Sequence, residues 1–184
     1  MMRLPLWIAG ALLLGGIVHL STVLAMPRAA TQDAYARLAP LAPVNSVVPL
    51  SPPDAQNAIM PFMDPAFAMA VCRYDLSTGP LKFVAPLSQA YTSVTFYTRK
   101  SVAYYAINDR AAGRRTIELD LMTADQHAQM PEEENVTAAD RLIIESPTAT
   151  GLIVLRALAP EPGMMAMARR AVASARCRAD QARQ

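Results

Sequence analysis

Chemistry-bearing side chains are scarce in this chain. It holds two histidines, His19 and His127, and two cysteines, Cys72 and Cys177. No H-E-x-x-H, C-x-x-C, G-x-S-x-G or phosphate-cradling glycine loop occurs, so the usual zinc, dithiol, serine-hydrolase and nucleotide sites have no motif here. His127 follows Asp125 by two positions, which is no metal-ligand spacing, and it reads as a surface histidine. Charged residues make up 17% of the chain and the net charge is +2. That balance is too slight to point to nucleic acid. No catalytic, cofactor-binding or metal-binding residue stands out. An enzyme is the weakest functional reading, because no nucleophile is paired with a base.

What the chain does have is one long apolar run, Leu4 to Met26, interrupted by no Asp, Glu, Lys or Arg. As a helix it is roughly 34 Å long, enough to cross a bilayer core of about 30 Å. Val23-Leu24-Ala25 resembles a signal-peptide cleavage site. A signal peptide's apolar core is about 7 to 15 residues, shorter than this run, so an uncleaved transmembrane anchor is the favoured reading. Trp7 suits a membrane interface. Ala11 and Gly15 have the small-xxx-small spacing of a helix seam, although glycine is common in membrane helices anyway. Arg3 flanks one end, and Arg28 and Arg37 follow the other, so basic residues set the orientation only weakly. An inside amino terminus and an outside domain follow from two points. A lone N-terminal apolar segment commonly directs export, and two cysteines beyond the membrane suit an oxidising compartment.

Residues 27–61 read as a short helix through Leu38 followed by a proline-rich stalk, with Pro40, Pro43, Pro49, Pro52, Pro53 and Pro61. Val44, Val47, Val48 and Leu50 are too apolar for a free linker and predict packing on the domain. Residues 62–184 predict a β-rich domain. Strands are expected at Phe67–Leu76, Leu81–Pro86, Thr92–Arg99, Val102–Asn108, Thr116–Met122, Arg141–Glu145 and Leu152–Leu158. The first two are expected to pair as a hairpin. Ile117, Leu119 and Leu121 alternate with Glu118 and Asp120, the pattern of a half-buried strand. Asp125–Met130 reads as one or two helical turns. After Pro160 and Pro162, a stripe of Met164, Met167, Ala168, Ala171, Val172 and Ala175 predicts an amphipathic C-terminal helix that carries Cys177. The fold class is α+β: a transmembrane helix, then an antiparallel sheet or sandwich closed by that helix.

The cysteines leave two readings open. A disulfide would staple the helix to the sheet and close a loop of about a hundred residues, worth roughly 2 to 4 kcal/mol. Otherwise they are two buried free thiols. Asp64 and Asp75 read as turn caps, Asp109-Arg110 and Arg114-Arg115 as a hairpin tip, and Glu132 to Glu134 and the terminal arginines as solvated faces.

Asp75-Leu76-Ser77-Thr78-Gly79-Pro80-Leu81, Pro86-Leu87 and Ala90-Tyr91 resemble the D-L-S-x-G-P…P…Y signature of the bacterial family DUF1254. Arg156-Ala157-Leu158-Ala159-Pro160, followed by an arginine- and alanine-rich segment with Cys177, is similar to the family's short, membrane-anchored branch. Met60-Pro61-Phe62-Met63-Asp64-Pro65 departs from the long members. The resemblance implies an envelope location, a β-rich fold and association with a companion domain, DUF1214. It carries no catalytic residue. Together with the anchor and orientation read above, the expectation is a single-pass protein of the bacterial inner membrane with a periplasmic domain, whose partners are the bilayer and, as the resemblance implies, a companion single-pass membrane protein. The expected function is an interaction module. The alternative is a β domain that binds a small ligand, which a cavity lined by Tyr97, Tyr104 or Tyr105 would favour.

Overall fold

The computed structural model describes residues 3–29, 33–54, 59–60, 63–113, 115–130 and 142–179. The chain divides into two compact units, Met1–Asp33 and Ala34–Gln184. The first is a single helix, α1 (Arg3–Ala29). It is long and apolar enough to span a membrane. Its Thr22 hydroxyl donates to the Val18 carbonyl at 2.8 Å, so this polar group is satisfied within the helix.

The second unit is a two-sheet sandwich. One sheet contains β1 (Val47–Pro49), β2 (Phe67–Asp75), β4 (Thr92–Thr98), β5 (Ala103–Asn108) and β8 (Thr150–Leu158) in the order β1-β2-β8-β4-β5. The other contains β3 (Leu81–Pro86), β6 (Thr116–Thr123), β7 (Leu142–Ser146) and β9 (Arg176–Ala179) in the order β7-β6-β3-β9. All pairs are antiparallel except β6 with β7, which run parallel. Period-two alternation places Ala68, Ala70, Cys72 and Tyr74 of β2 in one buried core with Phe83 of β3, Phe96 of β4 and Leu119 of β6. Phe83 and Phe96 meet edge-on across the sheets with ring centroids 6.4 Å apart.

The expected hairpin between the first two long strands is not formed. β2 pairs along its length with β8, from Phe67 opposite Leu158 to Asp75 opposite Thr150. β3 pairs with β6 and β9 in the other sheet. The Asp75–Pro80 turn is therefore a corner between sheets. Leu76 is buried and its amide donates to the Ala149 carbonyl at 2.8 Å, while Gly79 takes a positive φ of 137°. The turn residues are those of a hairpin, but a fully buried Leu76 anchors the chain in the core before it can fold back.

Residues 34–42 pack on the outer face of the first sheet, ahead of its edge strand β1. Leu38 and Ala42 are buried against Val71, Leu152 and Val154, with Val48 and Leu50 beside them. Side chains of the sheet and of the cover tie the two together. Arg73 donates from Nη1 to the carbonyls of Ala39 and Ala42 at 3.1 and 3.0 Å. The Tyr35 ring, on α2 (Ala34–Leu38), lies 4.5 Å from the Arg73 guanidinium and 4.2 Å from that of Arg99. Asn45, at a φ of 55°, exchanges hydrogen bonds with the Asp75 backbone as a strand residue would.

Among the described residues, three further helices belong to the unit. α3 (Asp109–Ala112) starts at an Asn108 cap and ends at Gly113 in the left-handed region. α4 (Ala124–Ala128) opens with a capping box between Thr123 and Gln126. The same Gln126 donates to the Leu76 carbonyl at 2.7 Å, tying α4 to the inter-sheet corner. After a 3-10 turn at Pro162–Met164 comes α5 (Met165–Ala173), which buries Ala168 and Val172. It stops short of Cys177. Ser174 donates back to the Ala171 carbonyl, and Arg176-Cys177-Arg178-Ala179 continues as β9 with alternating exposure. The expected long helix thus ends where the pattern changes from period 3.6 to period two.

Candidate functional site

Cys72 lies on β2 and Cys177 on β9, and the two are joined by a disulfide with Cα atoms 6.5 Å apart. Because Cys177 is on a strand, the bond links the two sheets and not the helix to a sheet. Both residues are buried in the sandwich core.

Two residues along β2 from Cys72, Tyr74 carries a second tie. Its hydroxyl donates to the Tyr97 carbonyl at 3.2 Å and lies 3.2 Å from the Tyr104 hydroxyl and 3.0 Å from Ser146 Oγ. Ser146, at the end of β7, donates to the Thr148 carbonyl at 2.7 Å. Burial pushes the Tyr104 phenol above its ordinary range, against a smaller downward pull from the Ser146 hydroxyl. A Cβ at Gly151 would overlap the Tyr97 carbonyl and the Tyr74 ring and hydroxyl, so glycine is required for this close approach. The network satisfies buried polar groups. Among the described residues it places no base beside Ser146.

The tyrosines considered as cavity lining have other roles. Tyr104 and Tyr105 pack against Phe96 at centroid distances of 6.2 and 5.9 Å. Tyr97 faces the opposite side, with the residues packed around Leu38 and Ala42. An open apolar groove of about 180 Å³ lies elsewhere, between α5, the start of β2 and the proline segment after β1.

The sheet edges differ in character. β1 is three residues long and ends in Pro49. β9 carries Arg176 and Arg178, and β7 carries Glu145, which pairs with His127 at 2.6 Å. β5, Ala-Tyr-Tyr-Ala-Ile-Asn, has neither charge nor proline and pairs only with β4 among the described residues. Ala103 and Ala106 are exposed, and the preceding Val102 is 60% exposed. Charge, proline and shortness are the ordinary protections of an edge. The strand was legible in the sequence, but its place at the edge was not.

Asp64 and Asp75 cap turns by accepting from the amides of Ala66 and Ser77, each at 2.9 Å. The Ser77 backbone amide, helped by its hydroxyl, holds the Asp75 carboxyl below its usual range. Asp109 and Arg110 fall on α3. Arg114, Glu132 to Glu134 and the terminal Arg183 lie outside the described residues. Among the described residues, no cluster of His, Cys, Asp and Glu is placed to hold a metal.

These features define an α+β two-sheet domain that follows a helix of membrane-spanning length. The chain belongs to the DUF1254 family of proteins of unknown function, whose model matches residues 44–179. No curated protein matches it. Two solved structures are similar. The VPA0106 protein of Vibrio parahaemolyticus has a TM-score of 0.56 at 14% identity, over 74% of this chain and 31% of that one. An uncharacterised protein from Burkholderia cenocepacia has a TM-score of 0.49 at 13% identity, over 79% of this chain and 36% of that one. The chain thus spans about a third of the length of either solved protein.

Proposed function

We propose that this protein is a membrane-anchored docking module of the bacterial envelope. In this reading α1 sits in the inner membrane and the sandwich lies in the periplasm. The β5 edge receives a strand from a companion single-pass membrane protein of the DUF1214 kind. The carrying observation is the β5 edge, which has neither charge nor proline and pairs only with β4 among the described residues. Strand addition supplies main-chain hydrogen bonds, and the small exposed Ala103 and Ala106 let a second strand approach. A periplasmic domain accords with the buried Cys72–Cys177 disulfide, since such bonds persist in oxidising compartments.

The test is capture of partners by the full-length protein in mild detergent, with mass spectrometry, beside the variant A103K/A106K. Both positions are exposed, so the lysines leave stability within about 0.5 kcal/mol. They place charge on the edge. The expected result is a stoichiometric membrane partner on the wild type that the variant loses. A wild type that emerges alone and folded, or a variant that keeps its partner, overturns the reading.

A further inference from the structure

We propose that the groove beside α5 binds a single apolar chain ending in a carboxylate, with Arg169 receiving the carboxylate. The site is separate from the β5 edge, and the inference does not depend on strand docking. Its walls come from three parts of the domain. Met63 and Phe67 bracket the entry to β2, Met69 follows, and Met165 and Val172 project from α5. Methionine side chains adapt to irregular apolar guests.

Size and polarity select the guest. The groove's volume, about 180 Å³, is below the roughly 300 Å³ at which drug-sized pockets begin. It therefore suits a small guest such as one thin chain and not a drug-sized molecule. Ser51 and Arg169 are the polar side chains among the described lining residues. A peptide would bring amide groups that such walls leave unsatisfied, whereas a hydrocarbon brings none.

Charge selects the head group. Arg169 is exposed at the groove and makes no hydrogen bond or ion pair among the described residues. Arg170, Arg176 and Arg178 are exposed nearby in sequence, and between Arg156 and Arg178 the single acidic residue is Glu161. A guanidinium matches a carboxylate in a two-pronged geometry.

The test uses full-length protein in phosphatidylcholine nanodiscs with ¹³C-methyl methionine, titrated with decanoate and with 1-decanol and referenced to empty nanodiscs. Decanoate is expected to shift the methyls of Met63, Met69 and Met165 saturably. The methyl of Met122, buried on β6, stays still and reports an intact core. Arg169→Gln is expected to raise the decanoate Kd about tenfold, the weight of one charge-assisted contact, and to leave the 1-decanol Kd unchanged. Absence of a saturable shift at the three methyls overturns the site, as does a shift confined to the exposed Met167. Equal decanoate affinity in wild type and Arg169→Gln overturns the carboxylate assignment.

Discussion

Removing the bond between Cys72 and Cys177 is the most informative perturbation of the fold. The residues are 105 apart in sequence, so the bond closes a long loop in the unfolded chain. The chain-entropy treatment gives about 4.7 kcal/mol for a loop of roughly 100 residues, and measured losses run about 2 to 5 kcal/mol. For C72A/C177A we expect a loss of about 3 to 4 kcal/mol. At about 2 to 4 °C per kcal/mol, that lowers Tm by about 6 to 16 °C. Because the bond restrains the unfolded chain, its loss lets that chain expand, and the denaturant slope m should rise as well. Either single variant should lose about as much as the double, since one missing sulfur already breaks the bond. The assay is urea unfolding of the full-length protein, with intact mass after alkylation of the unreduced, unfolded wild type. The reasoning is refuted by two added labels on the wild type, or by a loss below about 1 kcal/mol with m unchanged.

Three further outcomes are expected. Gly151→Ala drives a methyl into the Tyr97 carbonyl and the Tyr74 hydroxyl. It should cost about 2 to 3 kcal/mol in thermal unfolding, and a neutral result would mean that β8 shifts freely. Asp75 has a depressed carboxyl pKa, so its contribution is present above the ordinary carboxylate value and lost as pH falls through the depressed one. Asp75→Asn should therefore be less stable than wild type near neutrality and equal to it in strong acid; a gap that is the same at every pH refutes this. Tyr104 has a raised pKa, so its contribution is full below the ordinary phenol value near 10 and is lost as pH rises beyond it. Tyr104→Phe should flatten the fall in stability above pH 10, and an unaltered alkaline limb would show that other groups drive it.

The limits of sequence reading follow from where each signal resides. Leu81–Pro86 and Thr116–Thr123 were legible because apolar and polar residues alternate along them, and both are strands with one buried face. The C-terminal stripe marked α5 correctly through Ala168 and Val172. Pairing was another matter. Asp75–Pro80 has the composition of a hairpin turn, but β2 finds its longest partner in β8, far along the chain, because nine matched positions outweigh proximity. β9 was hidden because arginine and alanine suit a helix, and only its pairing with β3 makes it a strand. The candidate sites were hidden for the same reason. Strandedness at Ala103–Asn108 is local, whereas being last in a sheet depends on every other strand. The groove likewise joins residues around Met63 with residues around Arg169 that only the fold brings together.

The late position of β9 also bears on the order of events during synthesis. β3 and Cys72 both precede their partners on β9 by roughly a hundred residues. For most of the time that the domain is being made, the second sheet lacks an edge and the first thiol lacks a mate. Long-range closure of this kind is slow, so the sandwich stays incomplete until its last strand is made. With two cysteines in all, there is a single intramolecular pairing to make. The domain therefore needs an oxidant once it is complete, but no enzyme to correct a wrong choice.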